Sequence, residues 1–349
     1  MLMRGGTSKG PYFLKSDLPE DTSARDALLC TVLGSPDSRQ IDGVGGGHPL
    51  TSKVAVVSPS DHEDCDVDYL FLQVTPDTGA VSDAQNCGNI LAGVGPFAIE
   101  RGLVKATAPE TTVRVYMVNS DARADLVVQT PDGRVNYEGY TRIDGVPGRH
   151  APIIQNYFGT AGAQCGALLP TGNPTDVIEG VPCTLVDNGM PSVLIRAESL
   201  GVTGYETPAE LEENTTLRDK VEAIRLKAGP MMGLGNVGPK TVPKMCLISP
   251  PRHGGLINTR TFIPHRVHET LGVLAAASDA AACMIEGSVG HDIAHLEPSN
   301  PCRVDVEHPS GALTVELEWE NGTVIRTALI RTARKLMDGV VFPHKGAGQ

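Results

Sequence analysis

Three short segments crowd chemically useful groups together. Asn86-Cys87-Gly88-Asn89 sets a cysteine ahead of an apolar stretch in which Ile90, Leu91, Val94, Phe97 and Ala98 recur at helical spacing, closed by Gly102. Asn86 reads as the N-cap. A cysteine in the first turn of a helix sits beside unsatisfied backbone N–H groups and the positive helix end, which favour a thiolate, and the same N–H groups suit a carboxylate ligand. Ser52-Lys53 follows a glycine-rich loop, residues 43–51, and heads an apolar strand. An amine drawn from there into a cavity is desolvated and becomes a usable base. Arg4-Gly5-Gly6-Thr7-Ser8-Lys9-Gly10 offers backbone amides, two hydroxyls and two cations, a cradle for an anion that lacks the P-loop pattern. Each segment also has a plainer reading: a buried thiol, a surface lysine, a tight turn.

Other motifs carry less. Residues 233–238 match GxGxxG, but a helical stretch precedes them and Pro239 and Pro243 follow, so the strand-before and helix-after context of a dinucleotide site fails. His291 and His295 have the i, i+4 spacing of a zinc helix without the accompanying glutamate, and read as two solvated histidines in a loop. The eight cysteines lie no closer than 18 residues apart, so there is no CxxC for zinc or redox work and no metal site is expected.

The elements that must position these groups form two similar halves. In the first, residues 53–57, 69–74 and 112–118 read as strands, and 124–129 with 134–137 as a hairpin about Pro131-Asp132-Gly133. The helical segment between them contains Gly93, Gly95 and Pro96. It must therefore draw its stability from being enclosed. The second half repeats the recipe with strands at 183–186, 192–197, 244–249, 303–307, 312–318 and 323–330, and a helix over 267–286. Residues 208–227 read as a polar surface helix, and 159–180 as the boundary region.

Composition bounds the function. Of 349 residues, 40% are hydrophobic and 20% charged, with 39 Gly and 26 Pro, which suits a turn-rich α+β protein with a substantial core. The net charge of −12, with no Lys/Arg block, excludes the electrostatic footprint of a nucleic-acid binder. The longest nearly apolar run, 272–278, is far short of a membrane span, and no signal layout opens the chain, so a cytoplasmic location is expected.

Taken together, Met3-Arg-Gly-Gly-Thr-Ser-Lys-Gly10, Ile41-Asp-Gly-Val-Gly-Gly46, Pro49-Leu-Thr-Ser-Lys-Val54, Asn86-Cys-Gly-Asn89, Met232-Gly-Leu-Gly235 and His308-Pro-Ser-Gly311 resemble the methylaconitate isomerase (PrpF) and 4-oxalomesaconate tautomerase family, over essentially the whole chain. The resemblance implies a diaminopimelate-epimerase-like α+β fold: two domains, each a β-barrel-like sheet around a central helix, with the site in the cleft between them. The domains would be 1–172 plus 333–349, and 173–332, with 333–342 returning to complete the first. Only Met1-Leu2-Met3 precede the Arg-Gly-Gly motif, fewer residues than family members usually carry, so the expectation is either a misassigned start or a shortened first strand.

The resemblance also implies cofactor-free, metal-free chemistry by a lysine and a cysteine, here Lys53 and Cys87. One would remove a proton beside a carbonyl or conjugated carboxylate and the other return it elsewhere, shifting a double bond. Lys53 is expected as base and Cys87 as partner acid or orienting group. The amides of Gly5, Gly6, Thr7, Ser8, Gly88 and Asn89 would hold carboxylates, with Ser52, Asn86 and Ser310 as hydrogen-bonding neighbours. Epimerase relatives carry a cysteine at the start of each central helix. Here the second helix has its first cysteine at Cys283, several turns in, which favours one-sided or allylic proton transfer. The form of the lysine motif points to a 4-oxalomesaconate-type tautomerase. Methylaconitate or aconitate isomerisation and a non-catalytic polycarboxylate-binding protein are the alternatives. The partner expected is a small polycarboxylate, with neither nucleic acid nor membrane, and a homodimer is left open.

Overall fold

A computed structural model describes residues 1–84, 86–263, 266–296 and 299–344. In chain order the first elements are β1 (Leu2–Gly5), β2 (Ser8–Leu14), α1 (Thr22–Leu33), β3 (Lys53–Pro59), β4 (Val67–Val74), β5 (Val81–Ser82), α2 (Gly88–Glu100), β6 (Glu110–Met117), β7 (Ala122–Gln129) and β8 (Pro152–Phe158). There follow β9 (Asp176–Ile178), β10 (Val181–Asp187), β11 (Pro191–Arg196), α3 (Pro208–Glu213), α4 (Thr215–Met231), β12 (Lys244–Ser249), β13 (Ile257–Phe262), α5 (Val273–Cys283), β14 (Cys302–His308), β15 (Gly311–Glu320) and β16 (Thr323–Met337). The chain divides into two compact units, Met1–Asn156 with the residues from Ile330 onward, and Tyr157–Leu329.

In the first unit the strand order β1-β2-β3-β4-β6-β7-β8-β16 closes on itself through β1–β16 pairing, so the strands form a barrel. β1 is short but paired along both edges, to β2 and β16. Alternation along β3 and β4 sorts their side chains. Val54, Val56, Leu72 and Val74 pack outward under Leu29 and Leu33 of α1. Lys53, Ala55, Tyr69, Phe71 and Gln73 are left for the face towards α2.

That central helix is buried from Ile90 to Ala98. Each internal glycine costs a helix about 1 kcal/mol and a proline about 3. Burial of Ile90, Leu91, Val94 and Phe97, at about 1.5–3 kcal/mol each, outweighs that. The glycines are there for the wall: a Cβ on Gly93 would lie 2.5 Å from the Tyr12 hydroxyl, and one on Gly95 2.8 Å from Val128.

The second unit runs β9-β10-β11-β12-β13-β14-β15-β16. Leu217, Val221, Ile224 and Ala228 of α4 cover Leu185, Val193, Ile195, Met245 and Leu247, while the alanine-rich α5 is buried at every position but Leu274. Both units share one plan. A helical crossover joins two parallel strands (β2 and β3; β11 and β12), an antiparallel partner follows (β4; β13), and the buried helix comes next.

Several expectations need correction. The N-cap of α2 is Cys87, not Asn86, and no side chain caps it. Residues 134–137 form no strand, because a single Asn136-to-Gln129 backbone bond follows the turn. α5 starts at Val273 rather than 267, because Val267 and His268 pair back onto Phe262 and Thr261. The polar helix is two, broken at Asn214, which ends α3 and accepts from Leu217 N–H to start α4. α1 was not anticipated, although Asp21 caps it and left-handed Gly34 ends it. The first boundary falls near residue 156 rather than 172, since Gly162 and Leu168 bond to Asp187 of β10. The returning strand ends at Met337, short of 342, and residues 345–349 of the expected first domain lie outside the described residues.

Candidate active site

One strand organises the two reactive side chains. Lys53 opens β3 directly opposite Gln73 of β4, and same-face neighbours on β4 are two residues apart, so Tyr69, Phe71 and Gln73 form a row. The Lys53 amine donates to Gln73 Oε1 at 2.7 Å and stands 5.0 Å from the centre of the Phe71 ring. The residue is 7% exposed. At the other end of the row the Tyr69 hydroxyl donates to the Cys87 carbonyl at 3.2 Å, which ties the start of α2 to β4. Asn119 bridges the Phe71 backbone through both ends of its carboxamide (2.8 and 2.9 Å), extending the ladder where β6 has ended.

Cys87 is half-buried and free of any disulfide. As N-cap with no side-chain cap bond, it leaves the first-turn amides of Gly88 and Asn89 without an intrahelical partner. Gln155 donates to the Gly88 carbonyl at 2.7 Å. Asn86 turns aside to Ser120.

The Gly5–Ser8 segment packs on this helix start. A Cβ on Gly5 would meet the Asn89 carbonyl at 2.3 Å, and one on Gly6, held at a φ of +50°, would meet Asn89 Oδ1 at 2.1 Å. Glycine is therefore required at both. Thr7 N–H donates to Asn89 Oδ1 at 3.4 Å, and the Ser8 hydroxyl is buried with no partner among the described residues. Arg4 bonds the Gly6 and Thr332 carbonyls, both at 2.9 Å. Burial, with Arg334 nearby, draws its guanidinium down to about 10. Tyr12, behind the helix start, is held as a neutral phenol by burial and by the neighbouring Cys87.

Ser52 does not join this group. Ser52 is buried, and its hydroxyl lies 2.7 Å from Gln40 Oε1 and 2.9 Å from the His48 carbonyl, so it braces the loop before β3. Ser310 belongs to the second unit, in the β14–β15 turn, where its hydroxyl donates to the Glu269 carbonyl. The GxGxxG segment is a loop whose Val237 carbonyl, with those of Lys240 and Val242 just beyond it, accepts from the buried Arg225 at 2.8–3.1 Å. Among the described residues no group of His, Cys, Asp and Glu is placed to hold a metal ion, and no helix is long and apolar enough to cross a membrane. Gln73, Tyr69 and Phe71 escaped the sequence reading. Their one signal is the alternation Tyr-x-Phe-x-Gln, with a glutamine on an otherwise apolar inward face.

Known proteins resemble the chain over nearly its whole length. A family model described as PrpF protein matches residues 1–344. The chain is 58% identical over 343 residues to a (4E)-oxalomesaconate Delta-isomerase of Novosphingobium sp., covering 98% of this chain and 96% of the relative. It is 57% identical to a 4-oxalomesaconate tautomerase of Pseudomonas putida, covering 98% and 94%. The solved structure of a methylitaconate-delta-isomerase superposes with a TM-score of 0.88 at 35% identity, over 99% of this chain and 95% of that one.

Proposed function

The chain belongs to the PrpF family, and from that premise we propose that this isomerase is a tautomerase of an unsaturated keto-tricarboxylate of the 4-oxalomesaconate type. Lys53 takes a proton from the carbon beside the keto group or conjugated carboxylate. The charge left behind spreads as a dienolate, and Cys87 returns a proton at another position or orients the substrate for that return. The reaction is a redox-neutral exchange of one proton position and one double bond for another.

The single observation that carries the reading is the row on β4: Gln73 and Phe71 fix the amine of Lys53, and Tyr69 fixes the backbone of Cys87. A base on β3 and a proton donor at the start of α2, both braced by the same rigid strand, suit such a transfer. Around them the first-turn amides of Gly88 and Asn89 and the buried Ser8 hydroxyl are suited to a substrate carboxylate and to the enolate oxygen. The expected Gly5–Ser8 amides are instead engaged within the chain: Gly6 N–H donates to the Thr332 carbonyl, Thr7 N–H donates to Asn89 Oδ1, and Gly5 pairs with Ser8 across β1 and β2. Since the chain carries a net charge of −12, attraction of a polyanion must be local, from Arg4, Lys9 and the start of α2. The same charge argues against nucleic acid as the partner.

The keto acid is preferred over methylaconitate because two relatives at 58% and 57% identity are named for oxalomesaconate. Turnover of 4-oxalomesaconate, 2-methylaconitate and aconitate by the same preparation tests this. The reading expects kcat/KM for the keto acid to lead by at least about tenfold, a difference of about 1.4 kcal/mol in transition-state binding. Equal or better turnover of an acid without the keto group would overturn the assignment.

A further inference from the structure

We propose that Gln73 is the positioning residue of Lys53, fixing the direction in which the amine presents its lone pair. The inference rests on the reading of Lys53 as the base.

The carboxamide of Gln73 can turn either end towards the lysine, and the surrounding backbone decides which. Its nitrogen donates to the carbonyls of Pro49 and Ser52, both at 3.1 Å, which leaves Oε1 alone to face the amine at 2.7 Å. Those carbonyls cannot donate, so the flipped amide would set oxygen against oxygen. Held this way, Gln73 can only accept from Lys53. A neutral amine then spends one N–H on Gln73 and keeps its lone pair pointing away. Were the amide reversed, its N–H would occupy the lone pair and block proton abstraction.

The cross-strand register makes the contact direct, because Lys53 and Gln73 are opposed residues of one antiparallel pair. Phe71, two residues along the same face, supplies the apolar floor. Among the described residues Gln73 is the one hydrogen-bond partner of the amine, and no carboxylate pairs with it. A neutral acceptor rather than an acid at this point leaves the amine free to lose its proton. A carboxylate there would hold it as the ammonium ion.

Two variants and two readouts test the proposal on the full chain. Gln73→Glu keeps an acceptor oxygen but adds charge, and Gln73→Met removes the acceptor at similar volume. The first readout is the pH dependence of Lys53 acylation by acetic anhydride, followed by mass spectrometry, which needs no substrate. The second is kcat and KM for 4-oxalomesaconate across pH, with thermal melts as a folding control. In Gln73→Glu, Lys53 acylation and kcat should both rise only at higher pH than in the parent, with kcat recovering there. In Gln73→Met, kcat should fall about ten- to hundredfold at every pH, with KM changed less than about threefold.

An acylation profile of Gln73→Glu that superposes on the parent's overturns the inference, whatever the activity. So does a Gln73→Met enzyme with parental kcat. If the parent turns over none of the acids while the acylation profile still shifts, Gln73 stands as the positioning residue and the substrate assignment falls.

Discussion

Lys53 has exchanged bulk water for a carboxamide oxygen and a phenyl face, and Cys87 has its backbone pinned from the same strand. Proton transfer by a positioned group is worth about 10²–10⁴ in rate. Cys87→Ala should therefore cut kcat by about a hundredfold or more with unchanged circular dichroism. Activity within tenfold of the parent would remove Cys87 from the chemistry. A second titratable residue acts on stability instead. Asp279, in the middle of α5, accepts from Cys246 Sγ at 3.2 Å while its other oxygen is buried without a partner, and burial pushes its carboxyl up to about 7. The folded chain then keeps a proton that the unfolded chain releases from about pH 4 upward. Stability contributed by the neutral carboxyl is complete below that point, falls as pH rises towards 7, and levels off above. Asp279→Asn should raise the melting temperature relative to the parent at pH 8 and not at pH 4. A pH-independent difference would contradict this. At this scale Lys53 and Cys87 were legible as candidates because their motifs are local. Gln73 was not, since alternation assigns it to a face but only the strand register says what stands opposite.

At the level of elements, α2 shows how enclosure overrides propensity. Glycine-to-alanine in a helix is ordinarily stabilising by about 1 kcal/mol. At Gly93 the new methyl would lie 2.5 Å from the hydroxyl of the fully buried Tyr12, which itself bonds the Ile90 carbonyl. Gly93→Ala is expected to destabilise by about 1–3 kcal/mol in urea unfolding, the usual cost of overpacking. A gain in stability would mean the barrel wall yields. Strands with strong alternation, such as β4 and β15, could be read from sequence because one face is buried. The ends of helices were harder. The start of α5 is set by Val267 pairing back to Phe262, a non-local bond that periodicity does not encode. The cap of α2 shifted by one residue because Asn86 is drawn to Ser120, a partner 34 positions away.

Across the whole molecule, one plan used twice explains both what is shared and what differs. Each crossover ends in a strand headed by lysine, Lys53 on β3 and Lys244 on β12, and burial lowers the second amine to about 8. Only the first unit adds a cysteine at the start of its central helix. The second has Gly272 there, with Cys283 at the far end. The duplication was legible because two strand-rich stretches each contain one apolar helix. The limits of the units were less so, since residues 160–168 hold to Asp187 through backbone bonds that leave no mark in composition. The central claim is that Lys53 moves a substrate proton, and the most direct test is NMR in deuterated water of 4-oxalomesaconate incubated with the protein and, separately, with Lys53→Met. The account predicts deuterium entering the keto acid with the parent protein, and a loss of at least about a hundredfold in exchange rate with Lys53→Met. Exchange at the parental rate in the Lys53→Met protein would contradict it.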